Sequence, residues 1–122
     1  MLSTKAFLIR IVVGVLLTLA LLAAALYWFV FVYTINVVNL SGQTLTRVQL
    51  LMPGITRQLG TMPPGDSRWA FIQPTRDGVP GLSFYVAGQL HREEDKGGYI
   101  SAADGGRMTV TVQPSSRVTF EY

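Results

Sequence analysis

His91 is the only histidine in the chain, and there is no cysteine. That excludes a His-paired or Cys-ligated metal site, a triad built on a second histidine, and thiol redox chemistry. His91 lies in His91-Arg92-Glu93-Glu94-Asp95-Lys96, the most charged segment of the sequence. A lone imidazole beside carboxylates could sense pH or help hold a metal. The same residues also describe a solvated hairpin whose charges keep a strand edge from pairing with another chain, and this is the reading adopted.

The carboxylates point the same way. Glu93, Glu94 and Asp95 are consecutive, so in a strand neighbouring side chains go to opposite faces and no glycosidase-type pair forms. Asp66, Asp77, Asp104 and Glu121 stand beside turn signals or at the chain end. Asp104-Gly105-Gly106 faintly resembles a calcium turn, but the D-x-[DN]-x-[DN]-G spacing is absent. Ser41 and Ser83 lie in no G-x-S-x-G context, and Gly97-Gly98 and Gly105-Gly106 read as turns, not as a phosphate cradle. The sequence therefore predicts no catalytic residue, cofactor, metal or small-molecule substrate. Asn39-Leu40-Ser41 matches an N-glycosylation sequon, but so close to an apolar run that it would be hard to reach.

What remains is surface. Arg47, Arg57 and Arg68 fall on three successive predicted strands and could form a basic stripe toward an acidic partner or lipid headgroups. Trp69 and Phe71 alternate with Ala70 and Ile72, so one strand is apolar on both faces. One face must be core, and the other is either covered by a loop or a patch for a protein partner. Trp69, Phe71 and the three arginines are the candidate partner surface.

These residues are positioned by two kinds of element. Residues 11–32 form 22 consecutive uncharged positions with Thr18 as the single hydroxyl residue outside the aromatics. As a helix the run spans about 33 Å, slightly more than a bilayer's hydrocarbon core. Lys5, Arg10 and Ala23-Ala24-Ala25 also fit a cleaved signal peptide, with a mature chain starting at Leu26. Against cleavage, Leu26-Tyr27-Trp28-Phe29-Val30-Phe31-Val32 continues the run with no polar region. A retained signal-anchor is therefore expected.

Lys5 and Arg10 precede the run, and Arg47 is the first basic residue after it, which predicts a cytoplasmic amino terminus. Tyr27, Trp28 and Tyr33 suit an aromatic belt at the outer interface. Gly14, Thr18, Leu21 and Ala25 share one stripe, a candidate face for helix packing in lipid. The expected organisation is a cytoplasmic tail over 1–10, a transmembrane helix over 11–33 and an external domain over 34–122.

That domain carries eight basic and seven acidic residues, a net of +1, so the pI near 9.6 is no argument for nucleic acid. After Tyr33 the pattern has period two, with glycine and proline punctuation, which signals an all-β fold. Strands are expected over 34–40, 44–52, 55–60, 67–73, 82–87, 90–93 and 99–102, then around Met108, Val110 and Val112, and around Val118, Phe120 and Tyr122. Gly88-Gln89 is the expected hairpin turn, and Phe84 and Phe120 are expected in the core. Eight or nine short strands predict an antiparallel β-sandwich, with a small barrel as the alternative.

A short anchor leading almost directly into a small external β-domain looks like the layout of accessory subunits of bacterial envelope complexes. The functional expectation is a non-enzymatic, single-pass protein-interaction module in the bacterial inner membrane, with a periplasmic domain and a membrane or periplasmic protein partner. The alternative is an immunity-type inhibitor of an enzyme in the external compartment.

Overall fold

The computed structural model describes residues 3–122, apart from the side chain of Phe29; residues 1 and 2 of the tail lie outside the described residues. The helix α1 covers Thr4–Phe31, and Ser3 caps it by accepting a hydrogen bond at Oγ from the Ala6 amide at 3.2 Å. It starts well ahead of the apolar run because the cap is followed by Lys5, Ala6, Phe7, Leu8 and Ile9, with no glycine or proline to stop it. Lys5 and Arg10 consequently stand on the helix itself. At about 1.5 Å per residue α1 extends roughly 42 Å, and the stretch Thr4–Trp28 is long and apolar enough to cross a membrane.

Eight strands follow: β1 (Tyr33–Asn39), β2 (Leu45–Met52), β3 (Ile55–Met62), β4 (Ser67–Ile72), β5 (Gly81–Val86), β6 (Gln89–Glu94), β7 (Gly106–Val112) and β8 (Val118–Glu121). They form two four-stranded sheets with orders β4-β1-β7-β8 (sheet I) and β3-β2-β5-β6 (sheet II). The domain is a β-sandwich after a helix, and it does not close into a barrel. Its core is the layer between the sheets, where Ile35, Val37, Val48, Leu50, Leu82, Phe84 and Val110 are wholly buried. Such alternating inward residues are what two packed sheets require.

Four details depart from the sequence expectation. The β1–β7 pair is parallel, with Tyr33 opposite Gly106 and Asn39 opposite Val112, while every other pair is antiparallel. Residues 99–102 are no strand: Ile100 makes one two-bond bridge to Gly78, and the rest of 95–105 is loop. The β5–β6 hairpin turns at Ala87-Gly88, both at positive φ, because Gln89 already pairs with Val86. Phe120 is only half-buried, since β8 is a short edge strand whose inner side is covered on one flank alone.

β1 rises away from α1, so the β2–β3 turn, the β4–β5 loop and the β6–β7 loop gather at the helix end. The Thr75 amide donates to Pro53 O at 3.2 Å, Gly78 and Ile100 bridge, and the Tyr33 hydroxyl donates to Ser101 O at 3.4 Å. At the opposite end, Asn39 ties the β1–β2 and β3–β4 connections. Its amide donates to Gln43 O at 2.7 Å, Met62 O at 3.0 Å and Pro63 O at 3.1 Å, while its Oδ1 accepts from the amide and hydroxyl of Ser41. A side chain wholly buried in five hydrogen bonds cannot act as a glycosylation acceptor in the folded domain, so the sequon match is structural.

Candidate interaction surface

The choice between the two faces of β4 is resolved by sheet register. Ala70 pairs with Ile35 and Ile72 with Tyr33, and all four are buried. Trp69 and Phe71 therefore point outward, 60% and 47% exposed. Across the outward face of sheet I, Phe71, Thr34 and Arg107 form one row, and Trp69, Asn36 and Thr109 the next.

This face is continuous with the helix. The Trp28 ring lies 5.3 Å from that of Phe71, centroid to centroid, tilted by 48°. Beside them Trp28, Val32, Thr34, Gly106 and Arg107 line a cleft of about 170 Å³. In the middle of the face, Oδ1 of Asn36 is buried with no hydrogen-bond partner, alone in this among the described residues. A buried acceptor left unpaired costs about 1–3 kcal/mol.

The candidate stripe on α1 lies on the same side. Gly14, Thr18, Leu21, Ala25 and Trp28 are spaced by four, three, four and three residues, and at 100° per residue they fall within an arc of about 80°. Thr18 donates its hydroxyl to Gly14 O at 2.9 Å, so the stripe presents no unsatisfied polar group, and Leu21 is 73% exposed. A shallow groove lined by Ile11, Gly14, Val15, Thr18 and Leu19 begins it.

The three arginines go to different places. Arg47 sits at a bulge in β2 with φ 49° and lays its guanidinium 5.6 Å from the centre of the Tyr85 ring, on the outward face of sheet II. Arg57 is exposed on β3, opposite Leu50. Arg68 binds Asp66 at 3.0 Å and donates to Leu59 O at 3.2 Å and Thr61 O at 3.0 Å. Those carbonyls belong to β3, so Arg68 joins the edges of the two sheets. It is a clasp within the fold, distinct from any stripe.

The charged segment also has structural work. His91 lies in β6 opposite Phe84, its ring stacked on the buried phenyl at 5.4 Å and 12°; the expected hairpin strand is present with its other residues exposed, but His91 itself is a half-buried lid on the core. Glu94 pairs with Arg92 at 3.3 Å, and Asp95 accepts from the Tyr122 hydroxyl at 2.6 Å. Asp77 accepts from the Ala102 amide and the Tyr99 hydroxyl, both at 2.8 Å. The Ala102 amide, and then the Tyr99 hydroxyl, hold the Asp77 carboxyl below its ordinary value; the same bond raises the Tyr99 phenol. Burial, then Asp95, raises the Tyr122 phenol.

Sequence reasoning missed an open groove of about 880 Å³ between the Pro53-Gly54 turn and the β4–β5 loop. Arg76 and Arg92 line it together with Asp77 and Glu94, so neither sign of charge prevails. No local pattern could have announced it, since its walls come from three separate segments.

No family model matches the chain, and no curated protein matches it. Among solved structures, an NMR structure of a protein from Eubacterium rectale is similar: TM-score 0.53 at 12% identity, covering 74% of this chain and 86% of that one. At that identity the likeness concerns the fold.

Proposed function

We propose that this chain is a single-pass, membrane-anchored and non-enzymatic interaction module, an accessory or assembly subunit of a bacterial envelope complex. Its amino terminus lies in the cytoplasm, by the positions of Lys5 and Arg10, and its sandwich in the periplasm. The observation that carries this reading is the exposed Trp69/Phe71 pair, set on a sheet face that continues onto Trp28 of the helix. Aromatic side chains exposed together are costly in water and enriched at the centres of protein interfaces. The partner that fits is another membrane protein with an external part.

Photo-crosslinking in native membranes tests this. A crosslinking residue at Trp69 should capture a discrete partner, and one at Gln58, on sheet II, should not. Trp69→Glu should abolish co-purification in mild detergent while the thermal transition of the domain stays in place, because the charge would be buried unpaired only in the complex. Equal capture from both positions refutes the surface. Capture of a soluble external enzyme in place of a membrane protein favours an inhibitor.

A further inference from the structure

The helix and the sandwich meet at a corner with no room for a hinge. One residue, Val32, separates the end of α1 from the start of β1, and its amide donates to Trp28 O at 3.2 Å. No glycine or proline occurs from Leu26 to Leu40, and Val32 is β-branched, so the residues that usually absorb a change in φ and ψ are missing. β1 is an inner strand, bonded to β4 on one side and β7 on the other from its first residue, which fixes the direction in which the chain leaves the corner.

Three further contacts brace the corner from the domain side. The Tyr27 hydroxyl donates to Oε1 of Gln73 at 2.7 Å, tying the last turns of the helix to the β4–β5 loop. Trp28 packs on Phe71. Gly105 of the β6–β7 loop presses on the corner so closely that an added Cβ would lie 2.7 Å from Val30 O and 2.8 Å from Val32 O. Two of the braces come from the end of β4 and the residue after it, and the third from the loop before β7.

We propose that α1 and the sandwich move as one body, so that any tilt or rotation imposed on the helix in the bilayer is delivered undiminished to the outward face of sheet I. Because the Gly14–Ala25 stripe and Trp28 share one arc, whatever packs on the stripe fixes the side to which Trp69 and Phe71 are turned. The joint makes the helix a handle as well as an anchor. This inference rests on α1 being retained in a membrane; it does not depend on whether Trp69 meets a partner.

The chain has no cysteine, so spin labels can be placed on the full-length protein without background. In lipid nanodiscs, labels at Ala20→Cys and Gln58→Cys report helix to sandwich, and labels at Gln58→Cys and Gln89→Cys report the sandwich alone. The helix-to-sandwich distance distribution should be as narrow as the internal one. In Tyr27→Phe, Trp28→Ala and Gly105→Ala backgrounds it should broaden by about twofold or more, with the internal distribution unchanged. A helix-to-sandwich distribution already that broad in the parent chain overturns the proposal. A narrow distribution that none of the three substitutions broadens overturns the assignment of the joint to these braces. Gly105→Ala is the variant at risk of misfolding, and the other two, which leave the backbone alone, decide the question without it. The intact mass of the purified chain is read first: a species lacking α1 refutes the anchor itself, which is a separate failure.

Discussion

Asn39 offers a sharp test of how the end of the sandwich remote from the helix is held. Its amide serves three carbonyls and its Oδ1 accepts from two donors, in a position with no exposure. Asn39→Ala removes two N–H donors and one acceptor and takes this donor from the carbonyls of Gln43, Met62 and Pro63, the Met62 contact being buried. At about 1 kcal/mol per net hydrogen bond, plus the penalty for an unpaired buried group, the loss is about 3–4 kcal/mol. A domain of 89 residues is stable by about 4–13 kcal/mol, so this is a large fraction.

Asn39→Asp keeps the shape and inverts the chemistry, placing a carboxylate oxygen against three carbonyl oxygens. At neutral pH it should therefore be worse than Asn39→Ala. The introduced carboxyl has a raised pKa in the folded state, so stability is retained at low pH and lost as pH rises through that value. Thermal unfolding of the full-length protein in detergent, followed by near-ultraviolet circular dichroism from pH 4 to pH 8, reads both effects. Asn39→Ala should lower Tm by about 15–25 °C. A fall of less than about 5 °C, or an Asn39→Asp variant as stable as the parent at pH 7, would refute the idea that this side chain locks the loops.

Two further outcomes are expected. Phe84→Ala should cost about 3–5 kcal/mol and Phe120→Ala less than half as much, in urea midpoints of the same protein, because the first ring is wholly buried and the second sits at an edge. Asp77 has a lowered pKa, so its bonds to Ala102 and Tyr99 stabilise fully above about pH 4 and are lost as pH falls through the lowered value; Asp77→Asn should flatten the acid limb of stability between pH 4 and pH 2 in the same assay.

Where one face of a strand is plainly polar, the fold was legible. Leu82, Phe84 and Val86 alternate with Ser83 and Tyr85, and Met108, Val110 and Val112 with Thr109 and Thr111, and the inward sets are buried as the period requires. The β4 strand was not legible in this way, since Trp69/Phe71 and Ala70/Ile72 are both apolar; only the pairing with Tyr33 and Ile35 decides between them. Arg68 looked like a surface charge because its partners are backbone carbonyls of another strand, which carry no sequence signal. His91 was hidden by its neighbours: the charged run suggested a solvated hairpin, although strand alternation carries its ring inward onto Phe84. The candidate face on sheet I is assembled from α1, β1, β4 and β7, and no window of sequence contains it.

The parallel pairing of β1 with β7 bears on the order in which the domain can be completed. Tyr33 must meet Gly106, 73 positions later in the chain, and Asn39 must meet Val112. During synthesis β1 is the first strand made, and it can bind β4 early, but one of its edges waits until nearly the whole domain has been translated. Contacts so distant in sequence form slowly, because the intervening loop must be closed before any bond rewards it. For that interval the nascent protein carries an unpaired strand edge beside its longest apolar segment. A chaperone or a strand from another chain would find its best opportunity there, and the arrival of β7 closes it.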